Sequence, residues 1–154
     1  MREADLYPPI RKWLVDRGYE VHVELFGHDV IALKDGLATV IEMKLYFSFR
    51  LMDQLSNAAK WADFVFAAVP SPPKSMNQVR HWGYGLLQVD VAAGKVRQRV
   101  GPKQQPFRWH VSRKYRFAKL TGRLPAMEHE VAGLPSNPQL RRQRELRNVE
   151  QAAR

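Results

Sequence analysis

The dipeptide Asp35-Gly36 constrains this chain more than any other feature, because it stands between two apolar, β-branched segments, residues 28–34 and 37–45. Asp-Gly favours the two-residue turn whose backbone twist matches that of the flanking strands. Such a turn pairs Lys34 with Leu37, so opposed residue numbers sum to 71 and Asp29 falls directly across from Glu42. Side chains so opposed have Cβ atoms roughly 4.5–5.5 Å apart on one face. Like charges placed there repel, and a sequence that keeps both is expected to supply a cation for them. Strand side chains alternate, so Lys44, two residues after Glu42, projects on the same face as the two acids.

Around this hairpin the chain reads as alternating elements. Ile10, Trp13 and Leu14 recur at helical spacing, which predicts a helix over residues 8–18, beginning as early as Glu3 and ending at Gly18. Residues 19–26 form a first strand, making a three-stranded meander. Ser48 caps a helix over 49–61, where Leu51, Leu55, Ala58, Ala59 and Ala62 form one apolar stripe. Residues 64–69 are a short continuous apolar run, as expected of a buried strand, and strands are predicted over 84–89 and 96–100. Past Gly101 the texture becomes polar and basic, with helices expected over 109–120 and from near Asn137. This divides the chain into a core, 1–100, and a basic, mostly helical extension, 101–154, packed on or beside it. Residues 139–154 are polar enough to depend on docking for their order.

Charge follows the same division. Residues 1–94 hold 10 Lys+Arg and 11 Asp+Glu, whereas residues 95–154 hold 15 and 4, so the whole excess of +10 comes from the last third. A one-sided basic surface attracts polyanions by counterion release, and nucleic acid, most readily DNA, is the expected partner. Arg50, Arg108, Arg113, Lys114, Arg116, Arg141 and Arg142 are the candidate backbone contacts, with Trp109 and Tyr115 placed to stack on unpaired bases. The chain has no cysteine, which excludes disulfides, thiolate zinc sites and iron–sulfur clusters, and leaves oxygen or histidine ligands for any metal. No basic-then-apolar leader and no apolar run of membrane length stands out, so a cytoplasmic protein without a membrane partner is expected.

Hard oxygen ligands such as Asp29 and Glu42 suit Mg²⁺ or Mn²⁺, ions that activate water and neutralise charge on phosphate. Lys44 then orients that water or stabilises the charge that builds up in the transition state. In these residues the chain resembles the PD-(D/E)XK phosphodiesterase superfamily, with Asp29 as the acid of the second strand and Glu42-Met43-Lys44 as the Glu-x-Lys of the third. The resemblance covers roughly residues 3–90. It implies a restriction-endonuclease-like α/β core of helix, three-strand meander, helix and strand, with a mixed sheet flanked by helices. It further implies a metal held by Asp29, Glu42 and the Met43 backbone carbonyl, with Gln54 and Glu3 as supporting groups. His28 stands where the superfamily's name has proline. The activity implied is Mg²⁺- or Mn²⁺-dependent hydrolysis of DNA phosphodiester bonds, selective for structure rather than sequence. A symmetric homodimer would suit the cutting of both strands. The alternative is a module of the same fold that binds nucleic acid, or another partner, without cutting.

Other candidates are weaker. The five histidines show no ligand spacing, and His28 on a regular strand points away from Asp29 unless a bulge at Gly27 turns it. Glu128-His129-Glu130 reads as a solvated acidic island, and no glycine-rich phosphate loop is present.

Overall fold

The computed structural model describes residues 1–25 and 27–106. A 3-10 turn, Glu3–Leu6, runs into helix α1, Tyr7–Val15. Then follow strands β1 (Glu20–Leu25), β2 (His28–Lys34) and β3 (Leu37–Met43), helix α2 (Phe49–Ala59), and strand β4 (Phe64–Val69). A short helix α3 (Asn77–His81) and strands β5 (Gly85–Asp90) and β6 (Lys95–Val100) complete the described order. The six strands form one mixed sheet in sequence order, with β3, β4 and β5 parallel and the other neighbours antiparallel. This is an α/β architecture with helices against both faces of the sheet.

Local chemistry explains the elements. Asp35 and Gly36 both take positive φ, 53° and 74°, the conformation that a type I′ hairpin turn demands. Lys34 accordingly pairs with Leu37, and the ladder runs in the expected register to Val30 opposite Ile41. The Ser48 side chain accepts the Leu51 amide and starts α2, while Gly18, at φ 83°, closes the turn after α1. Gly85 has no room for a side chain, since an added Cβ would lie 2.3 Å from the Phe66 ring. Strand β1 starts at Glu20 and β3 stops at Met43, slightly inside the predicted spans. Helix α3, which follows the proline-rich break at Pro70–Pro73, carried no prediction.

The core has two layers. Leu6, Ile10 and Leu14 pack on Val30, Ile41, Phe66 and Leu87 on one face of the sheet. Leu51, Leu55 and Ala58 pack on Ile31, Val40, Val65 and Leu86 on the other. Strands β2, β3 and β4 are thus covered on both sides, which is why their sequences run nearly continuously apolar. Among the described residues no helix is long and apolar enough to cross a membrane. Residues 101–106 lie outside the regular elements but are held to the core: the Lys103 amide donates to the Gly83 carbonyl, and the Gln105 amide to the Asp63 carbonyl. The helices expected over 109–120 and from near Asn137 lie outside the described residues, as do Arg108, Arg113, Lys114, Arg116, Arg141 and Arg142.

Candidate active site

Because β3, β4 and β5 run parallel, their carboxyl ends line one edge of the sheet, the edge at which open α/β sheets bind ligands. Strand β2 runs the other way and starts there, which brings His28 and Asp29 beside Glu42 near the end of β3. Glu42 is 1% exposed, on a strand whose other buried residues are apolar apart from Thr39. A carboxylate so buried must be held by specific partners.

Glu42 and Asp29 have such partners. The Asp29 amide lies 3.4 Å from Glu42 Oε2, and the Met43 amide donates to Asp29 Oδ2 at 2.7 Å. The two acids therefore meet across β2 and β3, as the hairpin register predicts. Here the ladder gives way: side-chain acceptors take contacts at the strand ends, and on the far side of β2 Glu24 sits at a φ of 50°, rare for a residue with a side chain. Burial pushes the Asp29 carboxyl above the ordinary aspartate range; the Met43 amide pulls it back and the charge of Glu42 adds to the rise.

His28 departs from expectation. Its Nδ1 lies 2.5 Å from Glu42 Oε1, and the Trp61 indole N–H donates to its Nε2 at 3.0 Å. The imidazole therefore joins Glu42 rather than turning away from it. The irregular backbone at this end of the meander, with Gly27 at φ 78° and Glu24 strained, accompanies that placement. Trp61 follows α2 and packs against the cluster beneath that helix. Neither contact had a sequence signal beyond the adjacency of His28 to Asp29, since Trp61 is 33 residues from His28.

Lys44 stands just beyond β3, anchored by its amide to the Ala68 carbonyl. Its ammonium bonds Glu3 at 2.9 Å, and its charge is felt by Asp29, whose carboxyl it holds lower. Glu3 is thus brought to the site from the turn before α1. Asp5, not Glu3, serves that turn's N-terminus, accepting the Arg2 amide at 2.7 Å. Gln54 sits half-buried on α2, and its Oε1 is buried without a hydrogen-bond partner among the described residues. Arg50 is exposed in the first turn of α2. Beside it, Phe49 and Tyr46 are 88% and 79% exposed, the barest large apolar side chains described.

Among the described residues no group of three or more His, Asp or Glu side chains is arranged to hold an ion. Asp29 and Glu42 nonetheless suit a hard divalent cation of the Mg²⁺ type, which commonly takes only one or two carboxylates and keeps several waters. The Glu42 charge that adds to burial in raising the Asp29 carboxyl is of the sign that such a cation would offset.

No family model matches the chain, and no curated protein matches it. A solved structure, a protein of unknown function from Silicibacter pomeroyi, is similar over 88% of this chain and 97% of its own, with 20% identity and a TM-score of 0.58. That likeness is one of fold.

Proposed function

We propose that this chain is a metal-dependent nuclease of the PD-(D/E)XK, restriction-endonuclease-like type, hydrolysing phosphodiester bonds in DNA. The observation that carries the reading is the buried Glu42 facing Asp29 across the β2–β3 hairpin, with Lys44 following on the same strand end. The element order of helix, antiparallel meander, helix and parallel strand supports it.

In this reading Asp29, Glu42 and the Met43 carbonyl hold Mg²⁺ or Mn²⁺. The bound ion supplies Lewis acidity and a water made nucleophilic near neutral pH. Asp29 and Glu42 are held ready by the Met43 amide and by His28, so little reorganisation is needed on binding. Lys44, released from or shared with Glu3, places its ammonium against the phosphate where negative charge develops. Gln54 offers an unused polar atom at the adjoining helix, and Arg50 a cation for the backbone. Tyr46 and Phe49 offer bare rings beside Arg50, a surface suited to stacking on unpaired bases, which favours a single-stranded or branched substrate. The basic residues of the last third add salt-sensitive affinity for the polyanion, from the cytoplasmic side of the cell, and a homodimer would let one assembly cut both strands.

The test is cleavage of labelled single-stranded, duplex and branched DNA with Mg²⁺, Mn²⁺ or EDTA, using wild type, Glu42→Ala and Lys44→Ala. Cutting that requires metal and disappears in both variants is expected. One observation favours a second reading, a module that binds nucleic acid without cutting: Glu42 Oε1 is already engaged by His28. Wild type that binds DNA at low salt and never cuts would establish that reading instead.

A further inference from the structure

We infer that His28 and Trp61 form a relay that orients Glu42, the indole N–H fixing His28 Nε2 as an acceptor so that His28 Nδ1 presents its proton to Glu42 Oε1. The functional consequence rests on the reading of Glu42 as a metal-holding carboxylate; the hydrogen-bond assignment does not.

The assignment follows from what each group can do. An indole nitrogen donates and never accepts. At 3.0 Å from Trp61 Nε1, His28 Nε2 must therefore be the acceptor. A neutral imidazole with a bare Nε2 carries its proton on Nδ1, and an ionised carboxylate is an acceptor only. Nδ1 lies within hydrogen-bond reach of Glu42 Oε1, so the proton on Nδ1 is aimed at that oxygen. Both contacts thus demand one tautomer, and the opposite tautomer satisfies neither. The His28 and Trp61 rings also lie 5.4 Å apart and tilted by 44°, so packing as well as hydrogen bonding restrains the imidazole.

The relay crosses the fold. Trp61 lies two residues past the end of α2, His28 at the start of β2 and Glu42 on β3, so the turn after α2 reaches the carboxylate only through the imidazole, with no bond of its own to the acids among those described. With Oε1 committed to His28, Oε2 is the Glu42 oxygen turned to the Asp29 side, 3.4 Å from the Asp29 amide. His28 and Trp61 are positioning residues: they act through Glu42. Outer partners of this kind typically govern metal affinity by about 10–100-fold.

Two measurements on the full chain test this. Nitrogen-15 NMR of labelled histidine is expected to show His28 in the Nδ1–H tautomer, and Trp61→Phe, which keeps a ring and removes the donor to Nε2, is expected to shift the His28 Nε2 resonance toward that of a free ring acceptor while Glu42 still holds the proton on Nδ1. In parallel, Mn²⁺ titration is expected to show about 10–100-fold weaker binding for His28→Phe, largely recovered in His28→Asn, whose amide N–H can stand in for Nδ1. An Nε2–H tautomer in wild type overturns the relay, as does a folded His28→Phe with wild-type Mn²⁺ affinity. Should His28→Phe fail to fold, an unchanged His28 Nε2 resonance in Trp61→Phe overturns it equally. Wild type that takes up no Mn²⁺ removes the nuclease reading, while the tautomer measurement still decides the relay.

Discussion

Strand β3 is served by a buried carboxylate at each end, and the two are held in opposite ways. Asp63, 2% exposed, accepts the Ala38 amide at 2.9 Å near the start of the strand and the Gln104 amide group at 3.3 Å. Its own carbonyl takes the Gln105 amide at 2.7 Å, so this acid ties β3 to the segment that leaves the core. Glu42, 1% exposed at the other end, meets a histidine and a second carboxylate. Asp63 takes the Ala38 amide and the Gln104 side-chain amide, both neutral donors, whereas Glu42 stands beside Asp29, whose carboxyl burial and the Glu42 charge both push up. The first arrangement maintains a fold; the second keeps an electrostatic demand that binding can satisfy.

That contrast can be broken in four ways. The largest effect is expected of Glu42→Gln and Lys44→Ala, which should lower cleavage by at least about 100-fold with the fold intact, the size seen when a group stabilising transition-state charge is lost. Cleavage rates at saturating Mn²⁺ check this, and near-normal cutting by either variant would place the chemistry elsewhere. Asp63→Ala should do the reverse. Leaving the Ala38 amide unmatched in the core should cost about 1–3 kcal/mol of stability, read by denaturant unfolding, with the rate per folded molecule kept.

Asp29→Asn sharpens the comparison through pH. The Asp29 carboxyl is raised in the folded protein, so stability is full where it is protonated in both states and declines as pH rises through the raised value. The Asn variant lacks that decline. In EDTA it should therefore melt higher than wild type at neutral pH, the advantage vanishing as pH falls below the ordinary aspartate range; a lower melting temperature at neutral pH would contradict the strain assigned to the acid pair. The smallest effect belongs to Arg50→Ala, which should weaken DNA binding slightly and reduce the salt slope by about 1 if Arg50 meets one phosphate.

Much of the fold was legible because its signals are local. Asp35-Gly36 specified a turn type, the turn set the register, and the register brought Asp29 to Glu42. Ser48 announced the start of α2 through its own side chain. Helix α3 was not legible: it spans five residues after a run of prolines, too short for a periodic pattern. The Asp63 anchor was equally silent, for it joins residues 25 apart on either side of a crossover helix.

The candidate site divides along the same line. By itself the sequence determined that two carboxylates and a lysine share one end of a hairpin, since a two-residue Asp-Gly turn fixes the register and strand alternation then fixes the faces. Only the tertiary structure decided which way His28 faces, that Trp61 reaches it, and that Lys44 is paired with Glu3 from a turn 41 residues earlier. Those contacts depend on how two helices pack over opposite faces of one sheet, and on a distorted backbone at Glu24 and Gly27 that period-2 patterning does not encode.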